Sequence, residues 1–362
     1  MTRIAILTRT VTRGDAVGND ALGMYYALKK RGTDVRIYAE GWTLTEPQVY
    51  AASEIESFLE TDSDLLIYHH SIGWDLSLKL LDSLKCRIVI KYHNVTPPSF
   101  FMGISTDFEA RCRAGQEQLK ALAKSEHELY LSDSEYNMRE LLEEGADPAR
   151  NFVLPPFHHI DLLHSLNPDL SVIDKYRTGK ANILAVGRVS PNKGHVGLIE
   201  AFANYHYNYN SNSRLLVVGK QDDAFTSYYE RLHRLVSSLS LQQAVVFTGG
   251  VSDEELKAYY MLSHLFMMTS EHEGFCVPLV EAMSMKLPVL AYGSSAIPGT
   301  VGEAGVVWGE RNPLLMAETI DMLMRDEGLR AAVGEKGWRR YELLFTNLRI
   351  EEEFMRMLGR LK

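Results

Sequence analysis

Two acidic side chains and a run of backbone amides stand close together in EGFCVPLVE, the segment from Glu273 to Glu281. The segment follows the apolar run HLFMMT and leads into a helix predicted to begin near Val277, with a proline in its first turn. The amides of Phe275, Cys276 and Val277 would then lack helical partners and form a natural anion site. Carboxylates beside such amides suit a ligand with both hydroxyls and phosphates. Solvated acids at a helix start are the alternative interpretation.

A second candidate site is the loop GRVSPNKG, which runs from Gly187 to Gly194 directly after NILAV. Gly187 allows a tight exit from a strand, and Gly194 allows a ligand to approach the backbone closely. Arg188 and Lys193 flank the loop, and two cations there would neutralise a diphosphate. The loop is not a Walker loop, because Lys193 precedes its glycine. Two surface cations in an ordinary turn are the alternative.

Both candidate sites follow short apolar runs, which alternate with helix-length segments along the whole chain. The first series of runs is RIAIL, DVRIY, DLLIYHH, CRIVIKY and ELYLS. The pattern restarts after about residue 180 with NILAVG, RLLVVG, AVVFTG, HLFMMT, PVLAY and GVVW. Continuous Val/Ile/Leu runs favour parallel strands covered on both faces, and alternation with helices favours doubly wound sheets. Such sheets bind ligands at the carboxyl ends of their strands, where both loops fall.

The length of 362 residues also favours two domains, because single hydrophobic cores stop growing near ~250–300 residues. We place the join near residues 155–182 and assign 1–165 to a first α/β domain and 166–345 to a second. Residues 346–362 form a final helix that follows a complete second series. This helix needs an apolar partner, and we expect it to cross back to the first domain.

Composition excludes several classes of protein. The formal net charge is −9, and neither half is basic, which argues against nucleic acid as the main partner. Three cysteines without a C-x-x-C pair form neither a disulfide framework nor a zinc site. MTRIAILTRT has too short an apolar run for a signal peptide, and no stretch approaches the ~20 apolar residues of a membrane span. We therefore expect a reduced, soluble, cytoplasmic protein.

Several groups imitate functional sites. Asp62 and Asp64 spell the D-x-D of metal-diphosphate sites, but they precede a strand and are interpreted as solvated turn acids. The pairs His69–His70 and His158–His159 lack the i, i+4 spacing of helical metal ligands, so no metal site is predicted. Of these histidines, only His69 is predicted at the carboxyl end of a strand, where its side chain could face a ligand.

Basic clusters occur at Lys29–Arg31 and at Arg111 and Arg113. We interpret them as solvated helix faces. A weak peripheral contact with a membrane or an anionic lipid-linked acceptor is the alternative.

Taken together, the two loops give the second half a resemblance to retaining glycosyltransferase family 4, the group 1 glycosyltransferases of GT-B fold. The matching stretches are ILAVGRVSPNKGHVGLIEAF, LLVVG, VVFTGGVSDEELKAYY and EHEGFCVPLVEAMSMKLPVLAY. The first half is similar through IVIKYHNVTP, SDSEYNMRELLEEG and VLPP, so the resemblance covers nearly the whole chain. It implies two Rossmann-like domains that face each other across a cleft. It also implies transfer of a sugar from a UDP- or GDP-sugar to a glycan or lipid-linked acceptor.

The resemblance assigns roles to individual positions. Arg188 and Lys193 resemble the pair that grips the donor diphosphate, and Glu273 resembles the acid that contacts the transferred sugar. Glu281 resembles the acid that holds the ribose hydroxyls. His93 matches a histidine of the first domain that faces the donor sugar. The other implied donor contacts are mainly backbone positions: Gly18, Gly187, Val251, Gly274, Phe275, Cys276 and Val277.

The resemblance implies no cofactor beyond the nucleotide-sugar co-substrate and no metal, and it suggests a setting in polysaccharide or glycoconjugate biosynthesis. The chain departs from the family at three places. Gly14 and Gly18 are spaced apart in the first loop, where adjacent glycines are usual. Phe157–His159 replace a Gly-Val-Asp sequence, and Cys276 replaces a common glycine.

Three other kinds of function are alternatives. A nicotinamide-dependent oxidoreductase would need G-x-G-x-x-G after a first strand, and neither domain has that spacing. A nucleotide-sugar epimerase or a sugar phosphorylase would share the fold and stays open. A non-catalytic nucleotide-sugar-binding protein is the third alternative, although all the expected polar groups are present.

Overall fold

The computed structural model of the chain describes residues 2–12 and 14–361. Its contacts divide the chain into two compact units. The first unit takes in Met1–Ser99, Asp107–His159 and Phe345–Lys362, and the second takes in Phe100–Thr106 and Ile160–Leu344. The units therefore divide a few residues before the predicted boundary, and the segment Phe100–Thr106 belongs to the second unit although the chain around it belongs to the first.

The first unit is built on seven parallel strands in the order β3-β2-β1-β4-β5-β6-β7. The strands are β1 (Arg3–Val11), β2 (Asp34–Trp42), β3 (Val49–Ala51), β4 (Leu65–His70), β5 (Arg87–Tyr92), β6 (Leu129–Ser132) and β7 (Asn151–Val153). The helices between them are α1 (Ala16–Lys29), α2 (Asp75–Ser83), α3 (Thr106–Lys124) and α4 (Glu135–Glu143). All five predicted apolar runs lie in strands of this sheet.

The second unit has six parallel strands in the order β10-β9-β8-β11-β12-β13. Its helices are α5 (Ile160–Ser165), α6 (Leu170–Tyr176), α7 (His195–Asn208), α8 (Thr226–Ser238), α9 (Asp253–Leu262), α10 (Val277–Ser284), α11 (Ile297–Val301), α12 (Pro313–Arg325) and α13 (Glu327–Leu344). Its strands are β8 (Ala181–Val186), β9 (Ser213–Val218), β10 (Val245–Gly249), β11 (Leu265–Met268), β12 (Val289–Tyr292) and β13 (Val306–Trp308). The expected pair of parallel α/β sheets is confirmed.

The last helix, α14 (Asn347–Leu358), shares the core of the first unit. Phe354 is fully buried and packs edge-on against Phe157, with ring centres 6.1 Å apart. Glu351 of α14 accepts a hydrogen bond from the Arg31 guanidinium at 2.6 Å. Lys29–Arg31 are exposed, as the sequence predicted, and Arg31 also pairs with a helix distant in sequence.

Strand order decides which chain segments become neighbours. β8 and β11 are adjacent at the centre of the second sheet, so the loops that follow them emerge side by side at its carboxyl edge. In the first sheet, β4, β5 and β6 are consecutive, so the residues at their carboxyl ends also converge. None of the helices in the described part of the chain has the length and apolar character needed to cross a bilayer.

Candidate functional site

The loop after β8 turns back on itself through two glycines with positive φ. Gly187 has φ 145° and Gly194 has φ 66°, and side chains rarely adopt this conformation. A Cβ atom at Gly194 would lie 2.0 Å from the carbonyl oxygen of Thr269, just after β11. The Thr269 hydroxyl donates a hydrogen bond to the Gly194 carbonyl at 3.0 Å. Only glycine fits this contact, and it brings the two predicted loops together.

Asn192 fastens the two loops to each other at a second point. Its side-chain amide donates to the carbonyl oxygen of His272 at 3.1 Å, and its own carbonyl accepts from the amide of Glu271 at 2.8 Å. The Ser190 hydroxyl donates to the Asn192 side chain at 2.7 Å, which fixes the orientation of that amide. The two segments that the sequence singled out separately thus form one polar surface.

Lys193 and Glu273 meet at the centre of this surface. The Lys193 ammonium lies 2.6 Å from a carboxylate oxygen of Glu273. The Lys193 side chain is 18% exposed and the Glu273 side chain 9%. The Glu273 amide donates to the Ser295 hydroxyl at 2.7 Å, which fixes the backbone on the other side. Lys193, predicted to bind the diphosphate, and Glu273, predicted to contact the sugar, are therefore partners in this structure.

Arg188 is exposed at the start of the same loop. Its guanidinium carbon lies 5.8 Å from the centre of the Phe225 ring, within the usual reach of a cation–π contact. Phe225 is fully buried at the start of α8. A rigid aromatic face thus limits where this cation can move.

The predicted amide cluster lies at the start of α10. Cys276 has φ 73° immediately before the helix, and Val277 is its first residue. The thiol is buried, which raises the pKa of Cys276 well above its ordinary value and keeps it neutral. The Thr300 hydroxyl donates to the Phe275 carbonyl at 2.7 Å and holds the preceding turn. Gly274 and Val277 are half-exposed, so this turn is open to a ligand.

Glu281 faces inward from α10 and is only 3% exposed. One of its oxygens accepts a hydrogen bond from the Tyr260 hydroxyl at 2.6 Å. Burial raises the pKa of Tyr260 well above its ordinary value, so the phenol remains a donor. The alternative that Glu273 and Glu281 are solvated acids is therefore wrong. Val251, predicted beside the base, is half-buried in the loop after β10.

In the first unit, His93 is held at both ring nitrogens. Its Nδ1 lies 2.9 Å from a carboxylate oxygen of Asp133, just after β6. Its Nε2 lies 2.8 Å from Nδ1 of His69, at the end of β4. Since an ionised carboxylate only accepts, the hydrogen of this first contact sits on Nδ1 of His93.

Asp20 and Lys91 complete a buried cluster around His93. Asp20 Oδ1 accepts from the Phe157 amide at 2.8 Å, while Oδ2 lies 3.5 Å from His93 Nε2 and 3.8 Å from the Lys91 ammonium. Lys91 donates to the carbonyl of Leu154 at 2.6 Å and also to Asp133. Burial raises the pKa of Asp20.

Burial also lowers the pKa of His69 well below its ordinary value. For Asp133, burial acts to raise the pKa, but attraction to His93 and Lys91 outweighs it and the pKa is lowered.

Among the described residues, Asp20, His69 and His93 are the group whose ligand atoms lie close enough together to hold a metal ion, all within 4.8 Å. The spacing of histidines along the sequence does not predict this group, because its members come from three separate elements: α1, β4 and the loop after β5. The Lys91 ammonium already places a positive charge 3.8 Å from Asp20. We therefore interpret the group as part of a charge-compensated cluster, and the absence of a metal stays a prediction.

Gly18 lies inside α1 and is needed there for a structural reason. A Cβ at Gly18 would lie 2.5 Å from the Thr12 carbonyl oxygen. The Gly18 amide donates to the Asp15 carboxylate at 3.1 Å, which caps the helix. This amide therefore has a partner within the first unit, and the donor contact implied for Gly18 stays a prediction.

One other interpretation of an isolated polar residue is corrected. Asp64 is not a solvated turn acid, because it is 2% exposed and accepts hydrogen bonds from the backbone amides of Arg3, Glu60 and Thr61. Burial opposes its ionisation, but bonds from Arg3 and Thr61 hold the pKa of Asp64 well below its usual range. The buried His158 ring is bonded to the Phe345 carbonyl at 2.6 Å, beside α14.

Comparisons with known proteins identify relatives of this chain. Residues 171–340 match the family model described as glycosyl transferases group 1. The D-inositol 3-phosphate glycosyltransferase of Acidothermus cellulolyticus is 29% identical over 196 residues, 52% of this chain and 43% of that protein. A GDP-mannose-dependent alpha-(1-6)-phosphatidylinositol monomannoside mannosyltransferase of Mycobacterium tuberculosis is 27% identical over 173 residues, 45% of this chain and 43% of that protein. The matches thus span less than half the length of these relatives.

A solved structure extends the likeness to both units. Anabaena HepE in complex with UDP and glucose superposes with a TM-score of 0.80, covering 99% of this chain and 100% of that one at 18% identity. At this identity the likeness shows the fold alone. The chain therefore has the GT-B fold, and its residues 171–340 match the group 1 glycosyl transferases.

Proposed function

We propose that the protein transfers a sugar from a nucleoside-diphosphate sugar to a glycan, glycolipid or other glycoconjugate acceptor, with retention of anomeric configuration and without a metal. The observation that carries the proposal is the 2.6 Å pair between Lys193 and Glu273 at the edge of the second sheet. A diphosphate needs a cation, and a sugar hydroxyl needs an acceptor. The pair supplies both within one hydrogen-bond distance, beside the start of α10.

Donor binding exchanges the partners of this pair. The diphosphate takes the Lys193 ammonium and the first-turn amides of α10, which favour anions. The Glu273 carboxylate is then released to accept hydrogen bonds from the sugar. Glu281, fixed by Tyr260, lies one turn further into the helix and takes the ribose hydroxyls.

During transfer, the bond between the anomeric carbon and the phosphate oxygen breaks, and its electron pair stays on the diphosphate. The acceptor oxygen bonds to the anomeric carbon on the same face, and its proton passes to the leaving phosphate. Negative charge thus grows on the diphosphate, so Arg188 and Lys193 bind the transition state more tightly than the ground state. They occupy the place that a divalent cation would otherwise take.

The proposed donor is a UDP- or GDP-sugar. One relative is named GDP-mannose-dependent, and one structural neighbour was solved in complex with UDP and glucose. A setting in polysaccharide or glycoconjugate assembly fits the relatives' names, one of which is an O-antigen chain mannosyltransferase.

The test is a screen of UDP-, GDP- and dTDP-sugars for release of the nucleoside diphosphate and for thermal stabilisation. A donor at 100 times its dissociation constant should add ~2.7 kcal/mol to the free energy of unfolding. Turnover should persist in excess EDTA, and NMR of the product should show the donor's anomeric configuration. Stabilisation with no turnover toward any acceptor or water would overturn the transferase proposal. Loss of turnover in EDTA, restored by Mg²⁺ or Mn²⁺, would overturn metal independence.

A further inference from the structure

The segment Phe100–Thr106, here called the strap, belongs to the second unit although β5 and α3 on either side of it belong mainly to the first. Gly103 has φ 70°, and the amides of Ile104 and Ser105 both donate to the Phe101 carbonyl at 3.0 Å. These bonds close the strap into a tight turn. Its aromatic side chains are therefore presented from a defined backbone.

Phe101 is the buried anchor of the strap, with only 1% of its surface exposed. Its ring stacks on Phe225, with ring centres 5.5 Å apart and planes inclined by 17°. Phe225 is itself fully buried, and its ring lies 5.8 Å from the guanidinium carbon of Arg188. Phe225 thus contacts both Phe101 and Arg188, the residue predicted to bind the diphosphate.

The neighbouring residue of the strap reaches the second loop of the site. The Phe100 ring centre lies 6.2 Å from that of His272. His272 directly precedes Glu273, and its carbonyl accepts the hydrogen bond from Asn192 that ties the two loops together. The strap therefore contacts the segment that carries Glu273 directly and reaches Arg188 through Phe225.

We propose that Phe101 and Phe225 form an aromatic platform that positions Arg188 for the donor diphosphate. The inference rests on the proposed function for the role of Arg188, but its test needs only binding. Guanidinium groups stack on aromatic faces, and such stacking restricts a long side chain before the ligand arrives. Phe101 touches no reacting group, so it is a positioning residue. Its effect must pass through Arg188.

The test is a double-mutant cycle between Phe101→Ala and Arg188→Ala, measured as the dissociation constants of UDP, GDP and inorganic pyrophosphate. Phe101→Ala should weaken nucleotide binding roughly 3–10-fold when Arg188 is present and less than about twofold when Arg188 is absent. Equal weakening in both backgrounds would overturn the proposal, as would no weakening in either.

Three further variants guard against a general loss of packing. Phe101→Leu and Phe225→Leu keep apolar volume but remove the aromatic face, and they replace the alanine variant if it does not fold. Phe202→Leu alters an equally buried phenylalanine of the second unit in α7, and it should leave the dissociation constants unchanged. A wild-type protein that binds UDP or GDP but transfers no sugar would refute the transferase function. The double-mutant cycle would still test the aromatic platform, because it measures only binding.

Discussion

At the scale of single residues, the Lys193–Glu273 pair sets what each partner can do before a donor binds. The ammonium and carboxylate neutralise each other at 2.6 Å, so neither is left buried with an uncompensated charge. In the proposed function, an arriving diphosphate competes with Glu273 for Lys193. The pair would then couple capture of the phosphate to release of the acid proposed to contact the sugar.

Arg188→Ala and Lys193→Ala should each lower kcat by ~10²-fold or more, the scale for losing one preorganised electrostatic contact in a transition state. Steady-state kinetics with the true donor measures this. Lys336→Ala, an exposed lysine of α13, is the matched control and should keep wild-type kcat. Wild-type kcat in both site variants would remove these cations from the catalytic machinery.

Glu281→Gln should mainly raise the donor KM. Glutamine still offers an acceptor to the Tyr260 hydroxyl, so the local fold is kept, but the charged partner of the ribose hydroxyls is lost. The ribose lies away from the breaking bond, so the loss is one of uniform binding and kcat should stay within about twofold. A collapse of kcat with unchanged KM would reverse the roles of Glu281 and Lys193.

Glu140 of α4 gives the first unit a pH dependence with a defined sign. Burial raises the pKa of Glu140 to about 7 from an ordinary value of 4.5, although Tyr92 and Asn94 both donate to it. As the pH rises from 4.5 to 7, the unfolded carboxyl ionises while the folded one stays neutral. The free energy of unfolding should therefore fall across this window and level off above it.

Glu140→Gln should flatten that decline, as measured by chemical denaturation at a series of pH values. Glu135→Gln, an exposed acid at the start of the same helix, is the control and should retain the wild-type slope. A decline of equal steepness in the Glu140 and Glu135 variants would show that another group titrates.

At the scale of elements, the contact between Gly194 and Thr269 joins the loops after β8 and β11. Gly194→Ala should destabilise the second unit by ~2 kcal/mol or more, because the new Cβ meets a backbone oxygen at 2.0 Å and φ is 66°. It should also weaken nucleotide binding, since Lys193 precedes it. Thermal unfolding and UDP or GDP titration measure the two effects.

Gly197→Ala is the control for this change. Gly197 lies in the first turn of α7, and a Cβ atom added there would meet nothing within 4 Å. Alanine is favoured over glycine within a helix, so this variant should be neutral or slightly more stable. Equal losses at both positions would mean that the loop contact does not limit stability.

The elements that carry the site were predictable because their signals are local. The proline in EGFCVPLVE predicts a helix start, and Val277 is the first residue of α10. Continuous apolar runs mark each strand from β8 to β13. What could not be predicted depends on strand order. His69 meets His93 because β4 and β5 are neighbours, and Phe101 meets Phe225 across more than a hundred residues of sequence.

At the scale of the whole molecule, two segments belong to a different unit from the residues that precede them in sequence. These segments are the strap and the C-terminal helix. α14 follows the complete sheet of the second unit, yet its apolar face is part of the core that contains β1 and α1. The sequence indicated that this helix needs an apolar partner, which we expected it to find in the first domain. Glu351 on its other face pairs with Arg31, just after α1.

Phe354→Ala should therefore destabilise the first unit rather than the second. Phe354 is fully buried and packs edge-on against Phe157, and removing such a ring costs ~3–5 kcal/mol through lost burial and the cavity left behind. Phe157 also donates its amide to Asp20, so the loss should spread to the cluster around His93. Hydrogen exchange should accelerate in α1 and β1, while protection in β8 and β11 stays at the wild-type level. Leu348→Ala, at a position of α14 that is 62% exposed, should leave both units unchanged. If the Phe354 variant instead loosened β8 and β11 first, the stability of the second unit would depend on α14, and the assignment of this helix to the core of the first unit would fail.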